Sequence, residues 1–126
     1  MAILVEITVK EDVPLSIVQD MVENLTYYLK NNIHGAIEGI AGEILADSTM
    51  NAPVKTGKLS QSLRTEAIEG GYAIVSSVKY TKYQEEGTKT IEAKFFIRGA
   101  VEKHQDEITA AIENLIREYF RGISVE

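Results

Sequence analysis

The chain has 126 residues and a mass of 14.0 kDa, with no cysteine, no tryptophan and two histidines. This length fits one domain, 1–126, with a core of its own, and 44% hydrophobic with 25% charged residues is a globular rather than a disordered composition. Lacking cysteine, the chain cannot carry disulfides, thiol catalysis, iron–sulfur clusters or thiolate zinc sites, and a net charge of −6 argues against a free-standing nucleic-acid binder.

No apolar run is long enough to span a bilayer, so no membrane partner is expected. The opening Met1-Ala2-Ile3-Leu4-Val5-Glu6 lacks the basic and long apolar regions of a secretory leader. Residues 2–10 alternate, with Ile3, Val5, Ile7 and Val9 on one face, and predict a half-buried strand. Pro14 suits a helix start, and Ser16 with Gln19 matches a capping box.

From Leu15 to Met50 apolar residues recur every three or four positions, among them Val18, Met21, Leu25, Leu29, Ile33, Ile37, Ile40 and Ile44. A single straight helix over these 36 residues would be about 54 Å long, against about 36 Å for the diameter of a compact domain of this size. Either the helix breaks or it projects, and Asn31-Asn32 through Gly35, where helix propensity is lowest, is the expected break. Gly35, Gly39, Gly42 and Ala46 make a stripe of small residues on its second half. Close packing inside the domain is the favoured reading of the stripe; contact with a partner chain is the other.

Asn51 to Leu59 reads as a loop punctuated by Pro53 and Gly57. Leu63–Ile68 and Tyr72–Val78 alternate around Gly70-Gly71 and predict a hairpin. Tyr80 to Phe95 has no steady period and reads as an irregular loop. From Gly99 the helical period returns through Val101, Ile108, Ile112, Leu115 and Tyr119, with Gly122 as a stop. The fold class is therefore α+β: a long N-terminal helix and a C-terminal helix packed on a small, mainly antiparallel sheet.

Little in the chain points to catalysis. Ser60 and Ser62 have no histidine near them in sequence, and the glycines match no phosphate-cradling spacing. His104 and Glu107, three apart on a predicted helix, could share a metal, but an exposed ion-pairing face is favoured; His34 reads as a surface or capping residue. No catalytic residue, metal or cofactor is expected, and an enzymatic reading would require the fold to assemble a buried cluster of histidine and carboxylates. Charge is uneven: residues 15–50 carry five acids and one base, whereas 51–97 carry seven bases and five acids. Between Ser48 and Thr65 stand Lys55, Lys58 and Arg64 with no acid, a stretch suited to a phosphate backbone or an acidic protein surface, or simply to solvent.

Three segments go further. Ala52-Pro53-Val54-Lys55-Thr56-Gly57-Lys58-Leu59-Ser60-Gln61-Ser62-Leu63 resembles the first signature of a family of tailed-phage morphogenesis proteins, in which Ala-Pro-Val is followed by Thr-Gly, Leu and Ser. Tyr80-Thr81-Lys82-Tyr83-Gln84-Glu85-Glu86-Gly87-Thr88 is similar to its second, with paired tyrosines ahead of Glu, an aromatic residue and Gly-Thr. Phe96-Ile97-Arg98-Gly99-Ala100 resembles its third, a Phe-Leu-Arg segment flanked by prolines at the head of the last helix. Glu86 departs from the family's aromatic position, and Phe95 and Gly99 stand where prolines are usual. The family is the gene-product-ten-like group of lambdoid phages, head–tail connector or tail-completion proteins.

The resemblance implies a divergent or prophage-derived bacteriophage structural protein of the virion, made in the host cytoplasm, that joins capsid portal and tail by forming a ring. Six-fold closure is its best guess. It implies as partners further copies of the chain, the portal or adaptor and tail-tube proteins, and transient DNA in the ring lumen. The resembling segments mark Thr56, Gly57, Tyr80, Tyr83, Glu85, Gly87, Thr88, Phe96 and Arg98 for interaction, and the acid-free basic stretch adds Lys55, Lys58 and Arg64, expected to be mostly exposed and to contact DNA in the ring or an acidic neighbour. The alternative is a non-catalytic protein-binding adaptor, prophage-derived or encoded by the host. Glu86, replacing an apolar residue, is expected to be exposed or paired with Lys82 or Lys89, because an unpaired buried charge costs several kcal/mol.

Overall fold

The computed structural model describes residues 14–53 and 57–122. The predicted strand over 2–10 lies outside them, as do Lys55 and Thr56. Helix α1 spans Leu15–Asn51, followed by the short α2 (Lys58–Ser62), the hairpin β1 (Arg64–Ile68) and β2 (Gly71–Val75), α3 (Thr81–Glu86), α4 (Phe96–Lys103) and α5 (Gln105–Gly122). The order agrees with the α+β class. No helix among the described residues is long and apolar enough to cross a membrane.

The break expected at 31–35 is not there: α1 runs unbroken for 37 residues, about 55 Å. Two local features offset the low propensity of the asparagine pair. The side-chain amides of Asn31 and Asn32 donate to the carbonyls of Tyr27 and Tyr28, 3.0 and 2.8 Å away, one turn back, and Ile33 between them and the glycines is buried. The helix therefore projects. Leu15, Ile17, Met21 and Val22, on its first turns, are all exposed. Pro14 stands at the N-cap and no side chain caps this end, so the Ser16 capping box does not form.

Helices α4 and α5 run back along α1. His104, at their junction, reaches Asp47, and the Tyr119 ring packs on Tyr28 with centroids 5.1 Å apart, which orients the two arms antiparallel. The hairpin lies against the middle of α1, where His34 Nε2 is 2.7 Å from the Ile68 carbonyl and the imidazole meets Tyr72 edge-on. Lys30 pairs with Glu69 in the turn at 3.0 Å. The β1–β2 pairing is antiparallel, with Ile68 opposite Gly71, so the two-residue loop is Glu69-Gly70, not Gly70-Gly71. Gly70 takes the positive φ, 78°, that this turn requires. The strands end sooner than the alternation predicted, at Val75 rather than Val78.

Ala52, Leu59, Leu63 and Phe96 form the buried core cluster, with Leu45, Ile74 and Ile97 packed on it. Leu59 is 2% exposed. Two expected loops hold short helices, α2 and α3, and each buries one side chain: Leu59 of α2 in this core, and Thr81 of α3 against Ser76. The last helical region starts at Phe96, three residues ahead of the returning period, and bends at His104.

The stripe of small residues corrects the favoured packing reading. Gly35, Gly39, Gly42 and Ala46 are exposed. A Cβ added at any of the three glycines would meet nothing within 4 Å. These glycines do not serve close packing within the described chain.

Candidate functional site

The three segments that carry the resemblance, 52–63, 80–88 and 96–100, converge on one hub. The first supplies Ala52, Leu59 and Leu63 and the third supplies Phe96, which together are the core cluster. The first and second are joined by hydroxyls. Ser62 Oγ lies 2.6 Å from the Leu59 carbonyl, Ser76 Oγ 2.6 Å from Ser62 Oγ, and Thr81 Oγ1 2.8 Å from Ser76 Oγ. A carbonyl only accepts, and each hydroxyl has one proton, so the order is forced: Thr81 donates to Ser76, Ser76 to Ser62, and Ser62 to Leu59. Ser76 also accepts the Val78 N–H at 3.1 Å.

The second and third segments are joined by Glu85. Its carboxylate accepts from the N–H groups of Ile97 at 2.9 Å and Arg98 at 2.8 Å, the free donors of the first turn of α4. The Lys94 and Phe95 N–H groups donate to the Gln84 and Glu85 carbonyls. Gly87 ends α3 at φ 79° and ψ 171°, a conformation essentially reserved for glycine, and a Cβ there would lie 2.8 Å from the Ala93 nitrogen. Thr88 Oγ1 then accepts from the Thr90 and Ile91 N–H groups.

Of the residues marked for interaction, Phe96 is 5% exposed and belongs to the core, so it is not available to a partner. Glu85, Gly87 and Thr88 are committed to the internal frame. Gly57 caps α2 in the left-handed region at φ 78°. The surface members are Lys58, Arg64, Tyr80, Tyr83, Arg98 and Thr88, all exposed, although the Thr88 hydroxyl is occupied by its own turn. Arg64 lies 3.8 Å from Glu66 and Arg98 3.2 Å from Glu102, both surface pairs. Glu86 is exposed, as expected.

The departures at 95 and 99 fit this chain's own geometry. Phe95 has φ 48°, which a proline ring cannot reach, and its exposed ring lies under the Arg98 guanidinium at 5.4 Å. Gly99 donates its N–H to the Phe95 carbonyl at 2.7 Å, a bond proline cannot make.

A second constellation arises where the sequence marked only half of it. His104 is 8% exposed, not part of an exposed ion-pairing face. Its Nε2 lies 2.7 Å from Asp47 Oδ2 and its Nδ1 2.9 Å from Glu107 Oε1 and 3.3 Å from Glu43 Oε2. Lys103 approaches Asp47 at 3.3 Å. Hydrogen bonds to Asp47 first and Glu107 second raise the His104 pKa above its ordinary value. His104, and then Lys103, lower that of Asp47. His104, and then Glu43, lower that of Glu107. Glu43 and Asp47 sit one turn apart on α1, a spacing visible in sequence, but nothing local links them to His104.

An open cleft of about 490 Å³ borders this cluster, lined by Asp47, Asn51, Lys94, Phe95, Gly99 and Lys103 among others. Ser60 and Ser62 bond to backbone carbonyls and to Ser76, and His34 to the Ile68 carbonyl, so no serine–histidine pair forms from these residues. No protein-family profile, curated protein or solved structure matches the chain.

Proposed function

We propose that the protein is a non-catalytic virion subunit of a tailed phage or prophage that assembles into a ring between capsid portal and tail. The observation that carries the reading is the hub. Three sequence segments resembling the connector signatures, separated by tens of residues, supply one shared core, one hydroxyl chain and one helix cap. That is how a family's motif residues behave when they maintain a common frame rather than a reaction centre.

Three features of the surface support self-association. The projecting start of α1 presents Leu15, Ile17, Met21 and Val22. Tyr80, Tyr83 and Phe95 are exposed around α3. The acid-rich α1 and the base-rich stretch after it are electrically complementary, which suits a head-to-tail contact between copies. Exposed tyrosines flanked by Lys79 and Lys82 equally suit a different protein partner, which is the basis of the adaptor alternative.

The test is light scattering over a range of concentrations, paired with a search for the chain in purified particles. The expected result is a monomer–oligomer equilibrium moving toward about 84 kDa, six chains of 14.0 kDa, and loss of tails from particles when the gene is disrupted. A strict monomer at every concentration, with no crystal contact above about 1,000 Å² of total buried area, overturns ring assembly. Oligomers with unchanged tailed particles favour the adaptor.

A further inference from the structure

Three potential ligand atoms on two antiparallel arms turn toward one point. Glu43 Oε2, on α1, and Glu107 Oε1, on α5, both face Nδ1 of His104, and the three groups' ligating atoms lie within 4.8 Å of one another. The Glu43 and Glu107 carboxylates thus lie side by side across the gap between the two arms.

The opposite side of the ring shows which form of the imidazole suits a cation. Asp47 sits 2.7 Å from Nε2, and a carboxylate there holds the proton on Nε2. The neutral ring then turns the lone pair of Nδ1 toward Glu43 and Glu107. A ligating histidine whose far N–H is held by a carboxylate is the usual outer support of a metal site. The ring is buried, so its orientation is set by packing, while the Glu43 and Glu107 side chains are 55% and 51% exposed, which leaves an entry path and room for water ligands.

We propose that Glu43, His104 Nδ1 and Glu107 form a site for one first-row divalent transition ion, with Asp47 as the positioning residue. One imidazole nitrogen with two carboxylates matches zinc, manganese, cobalt or nickel better than calcium, which takes an all-oxygen shell. The ion ties the C-terminal part of α1 to the start of α5. The proposal is independent of the ring-assembly reading. The competing occupant of the space is a second proton on His104, making an imidazolium clamped among the same carboxylates.

Zinc chloride is the probe, titrated calorimetrically into the chelator-treated full chain. The background is clean, since the chain has no cysteine and His34 is the one other histidine. The expected result is one ion per chain and a rise in Tm that chelator reverses. Glu43→Gln and Glu107→Gln, both at half-exposed positions that tolerate the change, each weaken binding by about tenfold or more, Asp47→Asn weakens it by about 10–100-fold, and His34→Gln leaves it unchanged. In ¹⁵N-labelled protein, zinc moves the His104 Nδ1 resonance while Nε2 keeps its proton. Absence of binding, binding untouched by both glutamine variants, binding lost in His34→Gln, or a doubly protonated His104 ring in excess zinc each overturns the proposal.

Discussion

Replacing Gly35, Gly39 and Gly42 together by alanine separates the two uses of the small-residue stripe. Each glycine lies inside α1, and an added Cβ has open space at all three. The substitution therefore removes unfolded-state freedom without creating a clash. Glycine to alanine in a helix interior is worth about 0.8–1 kcal/mol. The three positions are one turn apart on the same face, and with nothing else within reach of the new methyl groups the changes together are worth up to about 2–3 kcal/mol. For a domain of this size that is a Tm increase of roughly 8–14 °C.

The assay is urea unfolding at a concentration where both proteins are monomeric, with the slope against denaturant compared to confirm that the unfolded reference is unchanged. A triple variant less stable than the parent would refute the outward placement of the stripe. The same variant then reports on assembly. If copies approach each other along this face, three methyl groups hold the backbones apart and the oligomer weakens in light scattering while the monomer is stabilised.

Gly87→Ala should lose at least about 1–3 kcal/mol in denaturant unfolding, because alanine is strained in this conformation and its Cβ meets the 91–93 backbone. Glu85→Ala leaves two N–H groups of α4 uncapped and should cost about 1–2 kcal/mol, with faster amide exchange confined to the first turn of α4. Lys55→Glu, Lys58→Glu and Arg64→Glu in one chain should leave the monomer's melting curve within a few degrees of the parent's and block head–tail joining; normal virion yield would count against the basic stretch as a contact.

In chelator, the ion-pair cluster makes stability depend on pH with two opposed limbs. His104, with its pKa raised by Asp47 and Glu107, contributes fully below about pH 6.5 and loses that contribution as pH rises through its folded value. Asp47 and Glu107, with lowered values, contribute above about pH 4–4.5 and lose it as pH falls through theirs. Lys103 stands beside Asp47, and Glu43 faces the same ring. Unfolding free energy should thus peak between about pH 5 and 6.5, and His104→Gln should flatten the alkaline limb.

Local pattern alone determined the class of this fold. The three-to-four-residue period of α1 and α5 is a property of neighbouring side chains, as is the alternation that makes the hairpin, and a glycine that needs positive φ is legible at 57, 70 and 87 because the backbone demand is met within one turn. What only the tertiary structure decided are the matters that depend on what lies across the chain. Asn31 and Asn32 look like a break until their amides are seen to bond back to the helix and Ile33 to be buried. The glycine stripe reads as a packing face until the space beside it is found open. His104 looks like one member of a solvated pair until α5 folds back and sets it against Asp47 and Glu43, and Glu85 looks like an ordinary surface acid until α4 begins at its carboxylate. Periodicity carries which face of an element is apolar, but not which distant element that face will meet, so the hub and the histidine–carboxylate cluster exist only once the two arms pack.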